Sequence, residues 1–515
     1  MDFSAADSLV LVGLLAAAAA LLALAELIRI PYPIPLVLGG LVLGFVPGMP
    51  NIELPPDIVL VAVLPPLLYG AAFFSPLREL RSNAKPIGLL AIGLVLTTAV
   101  AVAAVAHTAI PGLDWPTAFV LGAIVSPTDP TAATAIAQRL GLSRRLVALV
   151  EGESLVNDGT ALVAYRFAVA AVLTGSFSLA AASGRFVLSI VGGIAVGIAV
   201  GLVIREVRRR LDNPPVEITI SLLSGYFAYL PADALDVSGV LAAVTVGVYM
   251  GWHTPELTTA QTRLQGVAVW EIFFFLLNAF LFTMVGLQLP VILDGLSGYS
   301  AATLVWYAVL VTVTVIAARF AWIFATSTLQ WQSRVVLAWS GMRGAVSLAA
   351  ALALPLTTDA GSAFSNRELI VFLTFSVILG TLVVQGLTLP KLIAALDLED
   401  DSRLEEKEDT KARIHAAEAA LARLEELLVE EWVREDTADR LRALYDFRRN
   451  RFRARFDGDD DGAIEQRSSD YQRLLRELIE AERVAVRALR RDRRISDEVM
   501  RRVERELDLE EERLG

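Results

Sequence analysis

The chain has 515 residues, 55% of them hydrophobic, and a formal net charge of −11 at pH 7. Apolar runs of about twenty residues, each enough for a hydrocarbon core of about 30 Å, recur as far as about residue 395, which excludes a soluble globular protein and predicts an all-α polytopic membrane protein. Of the 45 Lys and Arg and 56 Asp and Glu, 26 and 35 fall in 397–515, so most of the negative charge belongs to a soluble tail, and nucleic acid is not an expected partner.

With no cysteine there is no disulfide, iron–sulfur or thiol chemistry; three scattered histidines make no zinc or copper site, and no Walker loop points to ATP. No cofactor is expected. About thirteen spans are predicted, near 9–28, 32–47, 58–75, 86–107, 115–138, 146–173, 186–204, 216–231, 237–252, 267–289, 301–326, 334–356 and 368–390. The first follows MDFSAADS, which lacks the basic stretch of a signal peptide, and is read as a retained helix.

Alternate connections differ in charge. One set holds Arg29; Arg78, Arg81 and Lys85; Arg139, Arg144 and Arg145; Arg205 and Arg208 to Arg210; Arg263; and Arg334, whereas the other holds only Arg185 and Arg367. Basic residues favour the cytoplasm, so the N-terminus is expected outside the cell membrane and the tail inside. The division is then a transmembrane domain over 1–396 and a cytoplasmic helical domain over 397–515.

In the span near 115–138, SPTDP places Pro127 and Pro130 around Thr128 and Asp129 at mid-span. Each proline removes a backbone N–H, so the helix should break there, which a membrane tolerates only beside protein or water. Asp129 before a proline also fits a plain interruption with a capping carboxylate.

The next span carries VEGESLVNDGTALVAY, with Glu151, Glu153, Asn157 and Asp158 in an apolar run. An ionised group at mid-bilayer costs at least about 2.5 kcal/mol, so these residues need a function. Glu153 and Asn157 share a helix face, as do Ser154 and Asp158, so oxygens and an amide converge in a cation or proton site. Asn157 beside Asp158 leaves one titratable group, which points to one-for-one exchange. Glu151, nearer the helix end, is read as either solvated or capping, and Arg166 as either lumen-facing or snorkelling. Pro65–Pro66 reads as a kink, and Phe273 to Phe275 as packing or lipid-facing surface.

Seven crossings after the first break, SGMRGAVS places Gly341 and Gly344 around Arg343. Two interrupted, charged spans in corresponding halves point to a transporter site built on inverted repeats. Arg319 is a further buried base, and a buried guanidinium needs a partner. Glu153 is expected to pair with Arg319, leaving Arg343 to stabilise the broken helices or another acid.

In the tail, 414–432 and 471–489 are amphipathic; Leu421, Leu424, Leu428 and Trp432 keep helical spacing, predicting a small regulatory or dimer-contact domain with an unknown ligand, or an inert appendage. Asp457, Asp459 and Asp461 with Gly462 match the first half of a calcium loop, but Ser468 stands where the bidentate Glu belongs, so an acidic turn is the simpler reading.

GESLVND at 152–158, SPTDP, AARF around Arg319 and SGMRGA at 340–345 together resemble the monovalent cation:proton antiporter-1 family, bacterial relatives of the eukaryotic sodium/proton exchangers. The resemblance, over about residues 9–395, implies thirteen helices, a homodimer in membrane lipid, and a core with crossed, unwound fifth and twelfth helices moving against a dimerisation domain. By resemblance Asp158 binds Na⁺ and H⁺ with Asn157 as its partner. Asp129, Thr128 and Ser154 add oxygens, Asp129 and Asp158 being the ligands of the transported Na⁺; Glu153 and Arg319 form the core ion pair, and Arg343 matches a second basic motif. The expected function is electroneutral Na⁺/H⁺ antiport by alternating access, serving pH homeostasis, with no enzyme activity. K⁺/H⁺ or mixed Na⁺/K⁺/Li⁺ exchange is the sister reading, and a receptor signalling through its tail is the reading from another class.

Overall fold

The computed structural model describes residues 20–23, 27, 30–46, 58–140, 142–174, 179–296, 298–359, 361–396, 402–430, 432–457 and 463–512. By contacts the chain divides into Met1–Asp400 and Asp401–Gly515. Both are helical, and the only β feature among the described residues is one bridge, Thr357 to Ala363.

In the first unit the described α-helices of eight or more residues are α1 (Pro33–Gly44), α2 (Leu64–Phe74), α3 (Val95–Ala109), α4 (Trp115–Val125), α5 (Thr131–Arg139), α6 (Arg144–Thr174), α7 (Leu179–Arg208), α8 (Pro214–Ala234), α9 (Gly239–Leu257), α10 (Ala260–Leu287), α11 (Ala301–Thr326), α12 (Trp331–Trp339), α13 (Ala345–Leu352), α14 (Arg367–Gly380) and α15 (Gly386–Leu396). Wider π turns run into α2, α3 and α15 at Ile58–Val63, Leu89–Leu94 and Thr381–Gln385. Pro65 and Pro66, read from the sequence as a kink, fall where the π turns of Ile58–Val63 pass into the α-helical first turn of α2.

Helix starts follow local chemistry. Side-chain oxygens of Asp114, Asn213, Ser238, Thr259 and Ser300 accept from the backbone N–H three residues on, opening α4, α8, α9, α10 and α11. Six helical segments among the described residues are long and apolar enough to cross a bilayer. The predicted first span near 9–28 falls mostly outside the described residues.

Close packing comes from small residues. A Cβ at Gly247 would sit 2.5 Å from the Tyr69 carbonyl oxygen and one at Gly251 2.3 Å from that of Phe73, so α2 and α9 lie backbone against backbone. The spans predicted near 115–138 and 334–356 are each two helices, α4–α5 and α12–α13, separated by non-helical Ser126–Pro130 and Ser340–Gly344.

The second unit has α16 (Ser402–Leu427), α17 (Glu435–Asp457), α18 (Ala463–Arg491) and α19 (Asp497–Glu512). Arg442 and Arg453 of α17 pair with Glu425 and Glu418 of α16. Ile479 and Leu507 are buried between α18 and α19, flanked by pairs of Arg483 with Asp508 and Glu511, Arg487 with Glu504, and Arg490 with Asp497. The Arg490 guanidinium holds the Asp497 carboxyl below the usual carboxylate range. The helix expected over 414–432 stops at Leu427, and Trp432 lies beyond it, 72% exposed, so only Leu421, Leu424 and Leu428 of the expected stripe are partly buried.

Candidate functional site

The two helix breaks meet. The Asp129 N–H donates to the Met342 carbonyl at 2.8 Å, and the approach is so close that a Cβ on Gly344 would lie 1.9 Å from Asp129 Oδ2. Only glycine fits there. Breaking a helix exposes carbonyls at one end and N–H groups at the other, and charged side chains satisfy both kinds. At the carbonyl ends, Arg343 Nε donates to Val125 O of α4 at 3.1 Å, and Arg319 Nε and Nη2 donate to Leu337 O of α12 at 3.2 and 3.0 Å. Arg343 also donates to the Gly341 carbonyl, while its own N–H reaches Thr381 Oγ1 at 3.1 Å. At the start of α5, Asp129 Oδ1 accepts from Thr131 N at 2.8 Å.

Arg343 thus bonds to backbone carbonyls of both breaks, and among the described residues no acid lies within ion-pair distance of it. Glu153 pairs with Arg319 through both carboxylate oxygens, Oε1 with Nη1 and Oε2 with Nη2 at 2.9 Å, and both side chains are at most 2% exposed. Two charges removed from water are tolerable only with such bidentate geometry and further hydrogen bonds.

Thr128 ties this pair to the rest. Its hydroxyl donates to Glu153 Oε1 and accepts from Asn157 Nδ2, both at 2.9 Å. Its carbonyl accepts from Ser154 Oγ at 3.1 Å and Asn157 Nδ2 at 3.3 Å. The Asn157 amide is thereby oriented, with its Oδ1 buried and without a hydrogen bond among the described residues.

Asp158 is one residue on and faces elsewhere. With Asp129, Thr128 and Ser154 it lines a cavity of about 650 Å³ bounded by α2, α5, α6, α10 and α13. No hydrogen bond holds its carboxylate among the described residues. Among the lining residues Phe74, Ser75 and Glu151 lie toward the helix ends whose connections carry the basic residues, Phe74 exposed and the other two half-buried, and Glu271 is exposed on α10. Phe273 to Phe275, read from the sequence as packing or lipid-facing surface, do pack, Phe273 and Phe274 against Trp270 and Phe275 against Tyr32; Phe274 and Phe275 also line this cavity, as do Tyr32, Glu271 and Asn278, which sequence reasoning did not single out. The α10 members recur at helical spacing, but so does every apolar face of a membrane helix, so the sequence held no signal separating cavity from lipid.

Residues 13–395 match the family model for the transmembrane sodium/hydrogen exchanger. The chain belongs to that family. An uncharacterized Na⁺/H⁺ exchanger of Mycobacterium tuberculosis is 37% identical to this exchanger over 98% of the present chain and 96% of its own. The Na⁺/H⁺ antiporter ApNhaP of Aphanothece halophytica is 35% identical over 77% and 75%. A sodium, potassium, lithium and rubidium/H⁺ antiporter of Bacillus subtilis is 34% identical over 70% of this chain and 58% of its own. In fold the exchanger is similar to the sodium proton antiporter MjNhaP1 of Methanocaldococcus jannaschii, with a TM-score of 0.63 at 19% identity over 76% of this chain and 99% of that one. It is a multi-pass membrane antiporter of cations and protons, and not an enzyme. Of the acidic tail residues, Asp459 and Asp461 lie outside the described residues, as does the Asp457 side chain.

Proposed function

We propose that this exchanger carries out electroneutral Na⁺/H⁺ antiport by alternating access, with Na⁺ and H⁺ competing for Asp158. The observation that carries the reading is that Asp158 lines the cavity with no hydrogen bond to its carboxylate among the described residues, while Glu153 is paired with Arg319. By formal count Glu153 offsets Arg319, and Arg343 offsets one of the two carboxylates Asp129 and Asp158, which leaves the core with one net negative charge. A single proton or a single monovalent cation then neutralises the core, and only a neutral core crosses an apolar barrier readily. Competition for one carboxylate is itself the coupling.

In this reading Thr128 and Ser154, with Asp129, offer the remaining oxygens, and Asn157 positions Thr128 rather than carrying charge. Glu151 and Glu271 give the cavity mouth a negative potential that concentrates cations. The mouth faces the cytoplasm, because basic residues cluster at that end, and the protein works as a homodimer in the bilayer. The Bacillus relative is named for sodium, potassium, lithium and rubidium, so the ions need ranking by experiment.

The test is cation-induced dequenching of a pH dye in proteoliposomes, for wild type and Asp158→Asn, with Na⁺, Li⁺ and K⁺ and with or without a clamped potential. The expected result is a voltage-independent signal in wild type and its loss in the variant. Full activity in Asp158→Asn moves the site elsewhere, and a K⁺ signal larger than that for Na⁺ replaces sodium as the substrate.

A further inference from the structure

Arg166 is not used by the site, yet it is committed. Its Nη2 lies 2.8 Å from Asp233 Oδ1, joining α6 to the last turn of α8 across 67 residues of sequence. On α6 it stands eight residues past Asp158, about 12 Å along the axis and in the direction away from Glu151 and the cavity mouth. On α8, Asp233 sits at the end opposite the basic segment Arg208–Arg210. The pair therefore lies on the far side of the transport site from the mouth.

Between the site and the pair is an apolar floor. Leu155 of α6, Leu64 and Leu68 of α2, Tyr229 of α8, and Val240 and Val244 of α9 form one buried cluster with Leu162 packed on it. Leu64, Leu68 and Leu155 also line the cavity; Leu155, three residues before Asp158, walls it, whereas Leu64, Tyr229, Val240 and Leu162 lie toward the pair and close its inner end. Leu162 and Arg166 are four residues apart, as are Tyr229 and Asp233, so each partner of the ion pair stands one turn beyond a residue of the floor on the same helix face.

We propose that Arg166 and Asp233 form a latch across this floor that holds the far end of the path shut while the mouth is open, and that it parts once in each transport cycle. The inference rests on the alternating-access reading. Its strength suits that task. With side chains 56% and 46% exposed, the pair is screened by water, and losing it shifts an equilibrium by less than about tenfold. A latch of that strength biases the two states without trapping either.

The chain contains no cysteine, so a reporter pair needs no background substitutions. The experiment uses the full-length double variant Arg166→Cys/Asp233→Cys in proteoliposomes, bridged with a short reducible bis-methanethiosulfonate linker and then reduced. Exchange should stop on bridging and return to near the wild-type rate on reduction, while each single-cysteine variant is unaffected by the reagent. A charge swap, Arg166→Asp/Asp233→Arg, should recover most of what Arg166→Asp loses. Undiminished exchange in protein shown by mass to be bridged overturns the latch, because α6 and α8 would then not separate. A reduced double variant that is inactive also counts against it, since so weak a pair is not needed for turnover. Absence of proton-coupled exchange in wild type would instead overturn the transport reading beneath it.

Discussion

Thr128 makes four hydrogen bonds in a space of two helix turns, and each is to a residue of the GESLVND stretch. Its hydroxyl both donates and accepts, so Thr128→Val removes two bonds and leaves Glu153 and Asn157 under-satisfied in a dry interior. The expected loss is about 1–3 kcal/mol for each orphaned group, read as a lower thermal transition in detergent. Glu153→Gln should cost more, about 3–5 kcal/mol, because the Arg319 guanidinium is then buried without its countercharge. The double replacement Glu153→Gln/Arg319→Met should recover part of that. Equal stability of the single and double variants would show that the pair does not act as a unit. Glu153 and Arg319 could be matched from the sequence by the simple argument that a buried base needs a buried acid. The second use of Arg319, on the Leu337 carbonyl, could not, because backbone partners carry no residue-type signature.

At the scale of elements, the breaks in α4–α5 and α12–α13 were legible because proline and glycine around a charge have no other use in a membrane span. How the breaks are held was not legible. The sequence shows only that Arg343 is in the second break; that it reaches back to Val125 in the first depends on how the two cross. Arg343→Met is therefore expected to free the carbonyls of Val125 and Gly341 and to destabilise both broken segments together. Hydrogen exchange should rise at 126–130 and 340–344 alike. Protection lost in one segment alone would mean that the two are not coupled through this side chain. In the tail the spacing of leucines located a helix but overran its end, since Trp432 continues the periodicity past the point where the backbone turns away.

At the scale of the whole molecule, the role proposed for Glu151 and Glu271 is to draw cations to the cavity mouth. Removing both charges in Glu151→Gln/Glu271→Gln should raise the apparent KM for cation severalfold at low ionic strength, and the difference from wild type should shrink near 1 M salt, where the Debye length is about 3 Å. A difference that survives high salt would make either residue a direct ligand instead. The competition proposed at Asp158 adds a pH signature. Because a proton excludes the cation, the apparent KM for cation should climb as the pH falls while the maximal rate at saturating cation stays level. A fall in maximal rate with unchanged KM would point to separate proton and cation sites.

The hydrogen bond from Asp129 to Met342 stitches the two crossed breaks into one piece, with the oxygens of Thr128 and Ser154 fastened to it. On the alternating-access reading proposed above, a site that travels whole presents the same ligands to both compartments. Its ranking of ions should read the same from either face, and the gradients alone decide whether sodium leaves the cell or enters it.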